Sequence, residues 1–157
     1  MRRLIALFLP LCACAPANYV YNFDLSDPGA RNLSRPGERD VLEDADLKTE
    51  ILVDPTSFQA IALDVTNKTN APIQINWAGI YVITPDHTQQ WLKPDSMQSE
   101  IASNVKATTR LIPFTLPPSG PGAAVYDNST FELVIPMTVR GLPRDYRMHL
   151  LAQVKKL

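Results

Sequence analysis

Few residues in this chain could do chemistry. It carries two cysteines, Cys12 and Cys14, and two histidines, His87 and His149. Zinc ligation or a catalytic triad would have to bring either histidine to partners from distant segments. His87 falls in the turn Pro85-Asp86-His87-Thr88, where the adjacent Asp86 is too local to orient it as a base. His149 alternates with apolar residues and is expected on a wet face. Ser119 lies in a proline-glycine loop without the strand-to-helix elbow of a G-x-S-x-G nucleophile. No G-x-x-x-x-G-K-[ST] or G-x-G-x-x-G stretch offers a phosphate cradle. Asp64 and Glu132 could act as paired carboxylates only if two strands brought them together. No catalytic residue, metal ligand or cofactor site is selected, and the chain is not expected to be an enzyme. The remaining candidates are aromatic. Trp77, Tyr81 and Trp91 could stack on sugar rings, with Trp77 expected in the core because it shares the parity of Ile73 and Ile75. Trp91, flanked by Gln89, Gln90 and Lys93, is the exposed candidate for a glycan or peptidoglycan contact.

The cysteines carry a different signal. Met1-Arg2-Arg3 precedes the apolar stretch Leu4 to Ala13, which matches the charged and hydrophobic parts of a secretory leader and is too short to span a bilayer. The stretch ends in Leu11-Cys12-Ala13-Cys14, which resembles the bacterial lipobox, with Cys14 as the residue that would become the mature amino terminus. That resemblance implies a diacylglyceryl thioether on Cys14 and anchoring by acyl chains, of which two or more hold a protein firmly to a membrane. Ala15, in place of an Asp, implies the outer membrane, facing the periplasm. The alternative is an ordinary leader cut after Ala13, Ala15 or Ala17. No cysteine follows residue 14, so the exported chain builds no disulfide framework.

The whole chain, leader included, is one domain's worth of protein. Its 157 residues hold 15 basic and 16 acidic side chains and are 45% apolar, which leaves enough for a core and no basic excess for nucleic acid. Fourteen prolines, against a usual share of about 5%, argue against long helices. Residues 1–13 read as the leader and 14–45 as a flexible tether, punctuated by Pro16, Pro28, Gly29, Pro36 and Gly37. Such a coil would have a root-mean-square span of roughly 30 Å and a limit of about 100 Å. Within it, Tyr19-Val20-Tyr21-Asn22-Phe23 reads as an edge strand, a partner-docking segment or disorder. The acidic run Glu38 to Asp46 reads as a solvated turn or a short helix, and Arg140, Arg144, Arg147, Lys155 and Lys156 oppose the acidic segment 38–54 in charge, as two solvated faces, a head-to-tail association or a dock for an acidic partner.

From residue 46 to 157 short apolar runs alternate with turn chemistry. Ile61, Leu63 and Val65 lead into Thr66-Asn67-Lys68-Thr69-Asn70, after which Ile73, Ile75 and Trp77 continue, so the two runs read as a hairpin. Ile80 to Thr84 and Gln89 to Lys93 form a second hairpin, and Val105 to Phe114 another strand before the loop Leu116 to Gly122. Phe131, Leu133, Ile135, Met137 and Val139 recur at period two, as do Tyr146, Met148, Leu150, Ala152 and Val154. Gly141-Leu142-Pro143-Arg144 connects them, and Pro136 marks the first as an edge or bulged strand. Seven to nine short strands and no sizeable amphipathic helix predict an all-β, antiparallel, immunoglobulin-like sandwich.

The stretch from Phe58 to Lys93, with its Asn67-Lys68-Thr69 turn and Ile73-Gln74-Ile75-Asn76-Trp77 strand, resembles small uncharacterised bacterial envelope lipoproteins. The resemblance implies a sandwich domain in the cell envelope and supplies no catalytic residues. The expected role is a non-catalytic binding or accessory module of an envelope assembly, with an envelope protein as partner and a glycan- or peptidoglycan-binding module as the alternative.

Overall fold

A computed structural model of the protein describes residues 19–32, 39–53, 60–96, 98–112 and 125–156. These form an all-β sandwich of two antiparallel sheets. The strands are β1 (Tyr19–Leu25), β2 (Asp40–Glu43), β3 (Leu47–Val53), β4 (Ile61–Asn67), β5 (Ile73–Ile75), β6 (Tyr81–Ile83), β7 (Gln89–Trp91), β8 (Lys93–Pro94), β9 (Glu100–Ile101), β10 (Lys106–Ile112), β11 (Thr130–Val139) and β12 (Leu142–Lys156). The first sheet runs β1-β12-β11-β5-β9, with β6 also on β11 and β7 on β6. The second runs β2-β3-β4-β10-β8.

The period-two runs become the core. Phe131, Leu133, Ile135, Met137 and Val139 are buried, as are Tyr146, Met148, Leu150 and Ala152, and they close against Leu47, Ile51, Ile61, Leu63 and Val65 of the second sheet. Alternation places every second side chain on one face, so a sheet with one wet side needs this pattern. One buried polar contact also crosses the core, Tyr146 Oη to Thr49 Oγ1 at 3.3 Å, and burial pushes the Tyr146 phenol up from its ordinary value despite that bond.

Four readings of the sequence are corrected. The tether does not extend to residue 45. β1 pairs with β12 along its whole length, from Tyr19 opposite Lys156 to Leu25 opposite Leu150, and β2 pairs with β3. Tyr21 and Leu25 are buried and Phe23 meets Phe131 edge-on at 5.4 Å, so of the readings open for the aromatic cluster the edge strand is the one found.

β4 and β5 are not a hairpin. β4 lies between β3 and β10, whereas β5 lies between β11 and β9, so the Asn67–Asn70 segment carries the chain from one sheet to the other. The Asn67 amide explains why. Its Nδ2 donates to Ala71 O and to Ile101 O of β9, and its Oδ1 accepts from Thr69 N and Thr69 Oγ1, each at 2.8 or 2.9 Å. All of the amide's bonds are made within a buried arch, which pins this segment to β9 and holds it in the path from one sheet to the other.

Pro136 is in a central strand. In the β11–β12 hairpin odd-numbered residues of β11 bond to β12 and even-numbered ones face the other neighbour, so the missing Pro136 N–H points towards β5 and β6. There the partner breaks: a 3₁₀ turn, Trp77–Gly79, separates β5 from β6, and the pairing register on β11 shifts by three residues across it. Asn76 N donates to Pro136 O at 2.9 Å, and a Cβ on Gly79 would approach Pro136 Cγ at 3.1 Å and Asn76 Nδ2 at 3.0 Å. A proline survives mid-sheet because the neighbour offers a turn in place of a ladder acceptor.

The β11–β12 connection is shorter than Gly141 to Arg144. Val139 faces Leu142, and Arg140 and Gly141 both have positive φ, 51° and 77°, as a two-residue type I′ turn requires. A Cβ at Gly141 would meet nothing within 4 Å, so Gly141→Ala is expected to cost only the left-handed backbone term, about 1 kcal/mol. A urea midpoint lowered by that amount with an unchanged slope checks this.

Candidate binding face

The outer face of the first sheet gathers the exposed aromatic candidate. Direct cross-strand pairing places Trp91, Tyr81, Val134 and Arg147 in one row across β7, β6, β11 and β12. Trp91 is 57% exposed and its ring meets Tyr81 edge-on at 5.3 Å, a favoured aromatic geometry. Val134 is fully buried although it faces away from the core, in the middle of this row. At the row's end Arg147 is fixed by Glu132 at 2.6 Å and Asp145 at 3.3 Å, and the Glu132 hydrogen bond raises the guanidinium pKa further. Among the described residues β7 pairs with β6 alone, so Trp91 stands on a short edge strand. Trp77 is taken away from this platform: it is buried in the 3₁₀ turn, with Nε1 donating to Gln98 O at 3.1 Å.

Next to the row lies an open groove of about 480 Å³, lined by polar residues such as Gln74, Glu100 and Asp145 together with the apolar Ile75, Pro136 and Met137. Pro136 is two residues along β11 from Val134, so groove and aromatic row adjoin. No pattern in the sequence marks this groove, because its walls come from β5, β9, β11 and β12, which lie far apart in the chain.

Comparison with protein families, curated proteins and solved structures finds no match to this chain. The reading of this face therefore rests on its own geometry.

The other candidates are placed as follows. Cys14 and Ser119 lie outside the described residues. His87 sits at φ 63° in the β6–β7 turn, where its backbone N–H donates to Thr84 O at 2.8 Å. His149 faces outward, and its Nδ1 lies 2.7 Å from Asp27 Oδ1 while its backbone N donates to Asp27 Oδ2 at 2.7 Å. That pair, 122 residues apart in sequence, is an acid–histidine contact that sequence reasoning missed. Among the described residues no hydroxyl is hydrogen-bonded to the His149 ring, and neither partner lines the groove. Asp64 and Glu132 do not meet, since Glu132 is held by Arg147 on the first sheet and Asp64 by Arg39 and Lys106 on the second. Among the described residues there is no group of three or more metal-ligating side chains, and no helix is long and apolar enough to cross a membrane.

The opposed charges of the two ends meet inside one molecule. Arg144 reaches Asp44 at 2.7 Å and Asp46 at 3.4 Å, and Arg140 reaches Asp46 at 2.7 Å, so the β11–β12 and β2–β3 turns are clamped across the sandwich. These arginines are engaged at home and do not form a free basic patch.

Proposed function

We propose that the protein is a non-catalytic binding module of a bacterial envelope assembly, held to the outer membrane by lipid on Cys14 and facing the periplasm. The observation that carries the binding half is Trp91, a large aromatic ring more than half exposed on a short edge strand and set edge-on against Tyr81. Exposed tryptophans backed by a rigid neighbour make effective contact points because they bring much apolar area at little entropic cost. The anchor rests on the Leu11-Cys12-Ala13-Cys14 sequence and the absence of any later cysteine. The reading is of binding because the Asp27–His149 pair lies apart from the groove and has no nucleophile on its ring among the described residues.

A second reading, glycan binding, is favoured by one feature: the aromatic row adjoins a groove whose lining mixes amide, hydroxyl and carboxylate residues with apolar ones, the complement of a sugar's hydroxyl edges and apolar faces. Trp91→Ala distinguishes the two, because the ring is exposed and its loss should leave the thermal melt unchanged. If purified peptidoglycan co-sediments with the protein and Trp91→Ala abolishes this, the ligand is glycan. If peptidoglycan never co-sediments and a photocrosslinker at position 91 captures an envelope protein in intact cells, the partner is protein. Neither result would remove Trp91 from the binding face. For the anchor, Cys14→Ala is expected to lose the acyl mass and move from the membrane to the soluble fraction. A protein that stays with the membrane in both forms and takes up no labelled fatty acid would end that half of the reading.

A further inference from the structure

A lipid on Cys14 would leave only Ala15, Pro16, Ala17 and Asn18 before β1 begins, because the expected tether of thirty-odd residues is occupied by strands. Five Cα steps span at most about 16–18 Å. β12, whose Lys156 pairs with Tyr19, has 15 residues and at about 3.3 Å per residue approaches 45–50 Å. The link is therefore about a third of the domain's long dimension. A domain on so short a link cannot present its far end, with the Arg140-Gly141 turn, to the surface that holds the lipid.

The near end is suited to that surface. The Tyr19 end of β1 and the Lys156 end of β12 emerge together, and Val125 lies beside them: Asp127, two residues on, accepts from Val154 N at 2.8 Å. Val125 is 76% exposed. In the second sheet the same end carries Ile112, 42% exposed and paired with Lys93. The exposed Lys93 and Lys155 stand at this end, with Asp127 as the nearby acid, its Oδ1 engaged by Val154 N. Exposed aliphatics with lysines around them can sit at the boundary of headgroups and acyl chains.

Resting on the lipid reading of Cys14, we infer that the sandwich stands end-on on the membrane, with Val125, Ile112 and Lys155 against the lipid headgroups and the β11–β12 turn pointing away. Trp91 is then carried on the flank, part-way up, and its partner is met close to the membrane and not at the end of a long leash.

The test uses the full lipidated chain in vesicles of phosphatidylethanolamine and phosphatidylglycerol that carry a nitroxide-labelled lipid. An environment-sensitive dye is attached to a single cysteine at Val125→Cys or at Leu142→Cys, the latter 69% exposed in the unmodified chain and at the far end. Dye at 125 should be quenched several-fold more than dye at 142. A twelve-residue Gly/Ser spacer inserted between Asn18 and Tyr19 should bring quenching at 125 down towards the level at 142 with the acyl mass unchanged. Equal quenching at the two sites of an acylated protein would overturn the end-on seating while leaving the anchor intact. Unchanged quenching with the spacer would overturn the short link as its cause. Absence of the acyl mass from the same sample would overturn the anchor and this inference together.

Discussion

A chain that begins at Ser26 is expected to lack the cooperative unfolding transition that a chain beginning at Tyr19 retains. If residues 14–45 were a tether, both truncations would be harmless. The structure makes them differ. β1 carries Tyr21 and Leu25 into the core, each only 2% exposed, and Phe23 against Phe131. Burial of Leu25 alone contributes about 1.5–3 kcal/mol, and the Tyr21 ring adds area of its own. Those terms approach the whole stability of a small domain, about 5–15 kcal/mol. Removing β1 also uncovers the β12 edge over seven consecutive residues, a long flat edge of the kind that pairs with other chains. Circular dichroism melts and light scattering of the two truncations would check this. Equal, reversible melts at the same Tm would show that β1 is dispensable and the domain starts later.

Replacing both Arg39 and Lys106 by Met is expected to cost about 3–5 kcal/mol at pH 7, whereas Asp64→Asn costs about 1 kcal/mol. The asymmetry follows from burial. Asp64 is buried on the outer face of the second sheet, directly opposite Glu50, a like charge that by itself would destabilise the pair. Lys106 bonds both carboxylates, reaching Glu50 at 2.9 Å; Arg39 holds Asp64 and Lys48 holds Glu50 at 3.0 Å. The cations are a third or more exposed and can turn to water when Asp64 is lost, but the carboxylate cannot when the cations are lost. Burial alone would raise the Asp64 pKa; hydrogen bonds from Lys106, Arg39 and Thr108 together outweigh it and hold the carboxyl below its ordinary value. Glu50 is likewise held low by hydrogen bonds from Lys106 and Lys48. A depressed carboxyl contributes stability that is complete above the unfolded value, near 4, and disappears as pH falls through the folded value. The native protein should therefore lose stability on acidification. The double variant, with Asp64 pushed the other way, should be relieved by protonation, so the gap between the two narrows between pH 7 and pH 4. Urea denaturation at both pH values measures this. A double variant no worse than Asp64→Asn would show that the cations do not compensate the buried charge.

The candidate face was legible in part. Trp91 stands out because polar residues flank it, a local property, and Tyr81 is a candidate by residue type alone; their contact is set by the β6–β7 pairing. The groove was not legible, because Gln74, Ser99, Thr138 and Asp145 share no segment and no spacing. Nor was the Asp27–His149 pair, which closes across 122 residues.

The sequence by itself determined the strands β4, β6, β10, β11 and β12 and which side chains face inward on β4, β11 and β12, since a repeat of two is written into adjacent residues and survives any choice of neighbour; it left β1 open and placed β2 in a tether. It also determined the β6–β7 turn and the candidate lipid site at Cys14. Only the tertiary structure decided which sheet each strand joined. The Asn67 arch, the place of Pro136 in a central strand and the recruitment of β1 all depend on partners tens to more than a hundred residues away. A local pattern specifies what a strand must bury; the free energy of burying it against one partner or another exists only once the whole chain has closed.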